Sequence, residues 1–139
     1  SGVHFSDAAT EGFSSGSRAL AMGGGSWFAD LPSGGSGPSS DAEGVVARRE
    51  LAIREATTDF SLWGAVTPDN LDSLDAMADE GVLGFVAALA HEGPGGLPAI
   101  DHAALKAAMV VAAEQNLVVA VHAESGTLIL ELMLNSAMA

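Results

Sequence analysis

The chain of 139 residues contains no cysteine and no tyrosine. Without cysteine there are no disulfides, no thiolate metal ligands and no thiol nucleophile, and nothing bears on redox compartment. Basic residues are scarce as well: five Lys and Arg stand against 18 Asp and Glu, a formal net charge of −13. That sign repels phosphate backbones, so nucleic acid is not an expected partner. No run of 18 consecutive apolar residues occurs, and the first residues carry neither a basic stretch nor an apolar signal core. No membrane partner is therefore expected, and the cytoplasm is the default location. Phosphate-binding glycine fingerprints are missing too. Gly23-Gly24-Gly25 precedes a strand-like run instead of joining a strand to a helix, and no Gly-Lys-Ser/Thr follows.

What the chain does have is 48% hydrophobic residues, enough for one core in a single domain over residues 1–139. Five β-like runs stand out: "GVHFS" from Gly2, "SWFADLP" from Ser26, "DFSLWGAV" from Asp59, "VLGFVAALA" from Val82 and "LVVAVHA" from Leu117. Helical patterning follows each of them. The first helix is expected over Glu11 to Met22, closed by the three glycines. A second is expected from about Ser40 to Ala56, with Asp41 near its start. A third opens at Thr67, which can cap, with Pro68 in the first turn and Gly81 as the stop. The fourth runs from Asp101 to Asn116, and the last from Glu124 to about Ser136. Arg48, Arg49 and Arg54 alternate with Glu43, Glu50 and Glu55 on the second helix, a pattern that predicts a solvated, i,i+4-paired face. Runs such as "LVVAV" are apolar throughout instead of alternating, as in strands covered on both sides by helices. The fold class is α/β, with five βα units and parallel strands.

In α/β folds the carboxyl ends of the strands are where sites are assembled. Those ends carry His4 and Asp7, Asp30, Thr67 and Asp69, His91 and Glu92, and His122 and Glu124. Histidines and carboxylates together suit a borderline metal such as zinc. Each also has an ordinary explanation. Asp30 can close a turn, Asp69 and Glu124 can favour helix N-termini, and a single histidine is often the polar tip of a half-buried ring.

The order of "EGFSSGSRALAMGGGSWFADLP", "FSLWGAVTPDNLDSLDAMADEGVLGF", "LPAID" and "VHAESGTLI" resembles allantoinase and its cyclic amidohydrolase relatives, dihydroorotase and hydantoinase. The resemblance runs from about Val3 to Ile129. It implies a (β/α)8 barrel in which two metal ions, usually zinc, activate a bridging hydroxide that opens a cyclic ureide or imide. The match departs from that pattern where the chemistry would sit. The family's His-x-His pair falls on Gly2-Val3-His4, and the lysine that bridges both metals as a carbamate falls on Val86. The expected Glu-Pro-Gly-Arg segment is replaced by "DAATEG", and the loop after the second strand by "PSGGSGPSS". His122 is retained, as are Ala123 and Glu124.

A barrel of this type takes about 250 residues, so the resemblance implies a segment of about its first five βα units. Such a segment folds either as a partial TIM-type barrel, a half-barrel, or as a flavodoxin-like open sheet of similar size. Cutting a barrel leaves two sheet edges and an apolar former interior, which favours a homo-oligomer, a dimer first. Val86, Ala87, Ala88, Trp27 and Phe28 are expected to fill the interior. The expected role is a non-catalytic, self-associating scaffold without cofactor, and the substituted ligands with the Gly-Ser loop suggest an engineered origin. The alternative is a mononuclear zinc hydrolase, with His4 and His122 as ligands and Asp30 or Glu124 as ligand or general base.

Overall fold

The computed structural model of the protein describes residues 2–3, 11–32, 39–90 and 96–137. Strand and helix alternate along the chain. They run β1 (Gly2–Val3), α1 (Gly12–Met22), β2 (Trp27–Asp30), α2 (Ala42–Glu55), β3 (Asp59–Ala65), a 3-10 turn (Leu71–Ser73), α3 (Leu74–Asp79), β4 (Gly84–Ala88), α4 (His102–Glu114), β5 (Val118–His122) and α5 (Gly126–Ala137). All neighbouring strands are parallel. Their order is β1-β2-β3-β4-β5, with no crossover. This order decides between the two expected architectures. A flavodoxin-like sheet requires the chain to reverse direction across the sheet, whereas sequential parallel order is that of a barrel wall.

Local chemistry explains most element boundaries. Asp41 and Asp101 each take extended backbone and accept a hydrogen bond, from the Gly44 N–H at 2.7 Å and the Ala104 N–H at 2.7 Å. Each capped donor would otherwise lack an intrahelical partner. Gly81, as expected, ends α3, with φ +80. The third helix does not begin at Thr67. The Thr67 N–H donates to Asn70 Oδ1 at 2.8 Å, and the segment turns before winding up through Leu71–Ser73. The last helix begins at Gly126 and not at Glu124, with the Leu128 N–H donating to Ser125 Oγ at 3.4 Å.

The pleat sends alternate residues to opposite faces. On the helix side, Leu62, Phe85 and Ala87 pack with Val45 of α2, Leu74 and Met77 of α3, and Ala108 and Ala112 of α4. Phe28 joins Phe13 of α1 and Ala52 of α2 in a second cluster. Phe28 thus belongs to the helix layer, not to the interior it was expected to fill. Trp27 lies on the other face but is 45% exposed, with its Nε1 donating to Ser61 Oγ at 3.2 Å. The strands approach closely at Gly84, where a Cβ would strike the Val118 carbonyl oxygen and come within 2.8 Å of the Trp63 ring.

The expected solvated arginine face of α2 is corrected at two positions. Arg48 is buried at 6% exposure and pairs with Asp30 on β2. Arg49 reaches α3, where its Nη2 lies 2.6 Å from Glu80 Oε2. Both guanidiniums find carboxylates across the tertiary structure instead of along their own helix.

Candidate functional site

The carboxyl ends of β2 to β5 carry two different kinds of surface. On the face away from the helices, Ala65, Val86, Ala88 and Leu97 form a buried apolar cluster, with Leu31, Trp63 and Ala120 packed against it. Val86 is 4% exposed and Leu97 1%. Leu97 arrives from the segment after β4, which lies beside that strand through the Ala88↔Ala99 bridge and the Ile100 N–H donating to the Ala88 carbonyl at 2.8 Å. Sequence reasoning placed Val86 here but missed Leu97. The only available signal for it was an aliphatic residue inside a Gly- and Pro-rich loop.

At the end of β5, His122 is in register with Ala88 and shares a face with Ala120. Its Nε2 stands 3.4 Å from Glu124 Oε1, with both side chains in contact with solvent. The two expected residues therefore meet. Thr67 is half-buried and Asp69 exposed. His4, Asp7, His91 and Glu92 lie outside the described residues, as does most of the Gly-Ser loop.

Asp30 ends β2 on the helix-facing side, in phase with Phe28, and is fully buried. Its Oδ2 lies 3.2 Å from Arg48 Nε, and Arg48 Nη1 donates to Ser39 Oγ at 2.8 Å. Burial pulls the Arg48 guanidinium below the ordinary arginine range, and the Asp30 carboxylate opposes that pull. With β3 and β4 between them, β2 and β5 are about 14 Å apart along the sheet. Asp30 is therefore not brought to His122.

Asn70 completes the polar framework at these ends. Its Nδ2 donates to the Ser40 and Ala65 carbonyls, each at 2.8 Å, while Oδ1 accepts from Thr67. The Ala65 N–H in turn donates to the Ser39 carbonyl at 2.9 Å. These bonds fix the entry to α2 against the end of β3. Their partners are backbone groups from distant segments, so no local sequence pattern reveals them. Among the described residues, no three His, Cys, Asp or Glu side chains converge to hold a metal ion. No helix among them is long and apolar enough to cross a membrane.

No protein-family model matches the chain. Its sequence is 43% identical over 115 residues to an allantoinase of Deinococcus radiodurans, covering 83% of this chain and 26% of that protein. It is 42% identical over 115 residues to an allantoinase of Solibacter usitatus, covering 83% and 25%. An L-hydantoinase (dihydropyrimidinase) from Arthrobacter aurescens matches in structure with a TM-score of 0.88 at 26% identity, covering 99% of this chain and 32% of that one. The chain spans about a quarter of the length of the curated relatives it matches.

Proposed function

We propose, for a chain that is an allantoinase-like cyclic-amidohydrolase segment with a partial-barrel fold, a non-catalytic role as a self-associating α/β scaffold. The supporting observation is Val86. The resemblance puts the metal-bridging lysine at this position, and here it is a buried valine packed among Ala65, Ala88 and Leu97. A binuclear centre needs charged ligands around a polar hollow. An apolar cluster closed by Leu97 does not fit one.

Self-association is supported by the exposed apolar surface at the β5 side of the sheet, where Val118 is 58% exposed. The substituted ligand positions and the Gly-Ser loop support an engineered derivation from a natural hydrolase.

The test is metal content after dialysis together with ring-opening assays on allantoin, dihydroorotate and hydantoin. Substoichiometric zinc and no turnover above the buffer rate are expected. A stoichiometric ion with chelator-sensitive turnover would overturn the reading.

One observation favours a second reading, a mononuclear zinc hydrolase: His122 and Glu124 stand 3.4 Å apart at a strand carboxyl end. In that case His4 supplies a further ligand, and Glu124 serves as ligand or base. His122→Ala would then remove bound zinc and activity together.

A further inference from the structure

We draw no further inference here: the strongest candidate, the cleft of about 410 Å³ at the N-terminus of α1 lined by Ser14, Ser15 and Arg18 together with Glu11 and Glu55, rests on a helix N-terminus alone, and nothing else among the described residues points to a ligand there.

Discussion

Arg48 Nε sits 3.2 Å from Asp30 Oδ2 across the packing of α2 on β2, and neither side chain keeps more than 6% of its surface in water. Because Arg48 also donates to Ser39, which precedes α2, one guanidinium ties the end of β2 to a residue nine positions further along the chain. Buried charges tolerate the loss of a partner poorly. Asp30→Ala, which leaves the guanidinium without its counter-charge, should cost about 3–5 kcal/mol in urea unfolding. The double variant Asp30→Leu/Arg48→Met should recover much of that loss, because a well-packed apolar pair no longer has charges to desolvate. Equal destabilisation of single and double variants would show that the pairing is not what matters at this position.

The direction of the Arg48 shift gives a pH test. Burial lowers the folded-state value, so the unfolded chain holds the proton more tightly, and stability rises with pH only as the ordinary arginine range is approached. Lysine in the same place has an unfolded value of about 10.4, which moves the window into an accessible range. Arg48→Lys should therefore gain stability relative to wild type as pH is raised through the last units below that value, by at most about 1.4 kcal/mol per unit. A difference that stays constant from neutral pH to pH 10 would contradict burial as the dominant influence.

Asn70 offers a comparison between removing a donor and replacing it with a charge. Asn70→Ala leaves the Ser40 and Ala65 carbonyls without this donor, at about 1–3 kcal/mol for each buried group left unpaired. Asn70→Asp should be worse at neutral pH despite its similar shape, because a carboxylate oxygen would face two carbonyls that now receive an amide. Thermal unfolding at pH 7 orders the three proteins. Asp outranking Ala in stability would mean that the Oδ1 contact to Thr67 dominates.

The alternation of elements and the stops at Gly81 and after Met22 were legible in the sequence, because they depend on local periodicity and on backbone freedom at single residues. The Thr67 start was misread for a related reason. Thr-Pro is a valid local opening for a helix, and only the tertiary donors of Asn70, bound to Ser40 and Ala65, make the chain turn there first. Arg48 was misread because a helix with alternating charges looks the same whether one of its arginines faces water or a buried Asp30. At the site, the apolar character of Val86 and the closeness of His122 to Glu124 follow from sequence spacing. The closure by Leu97 does not, since it depends on a loop folding back along β4.

Gly84 tests the close approach of β4 and β5. A methyl group added there would meet the Val118 carbonyl and the Trp63 ring, neither of which ends a flexible chain. Gly84→Ala should destabilise by about 1–3 kcal/mol, as over-packed sites do, even though alanine is otherwise no poorer a strand residue than glycine. Gly64→Ala should cost less, because its nearest atom is in the Phe85 ring at 3.0 Å, a contact that a few tenths of an ångström of movement relieves. The reverse order would place the tightest strand contact elsewhere.

Val86→Lys tests the position at which the allantoinase resemblance expects the metal-bridging lysine. In a polar hollow prepared for metal, the ammonium would find water or carboxylates and the change would be mild. Here the side chain would enter the buried apolar cluster of Ala65, Ala88 and Leu97. A lysine so placed is either neutralised or forces the cluster apart, and the variant should lose at least about 3 kcal/mol at pH 7, with zinc and bicarbonate in the buffer making no difference. Adding Leu97→Ala to the same chain would open the cover and should relieve part of the cost, since the ammonium could then reach solvent. A Val86→Lys protein that is as stable as wild type and gains stability on adding zinc would show that the interior is still arranged around a metal, and that packing has not taken the place of coordination.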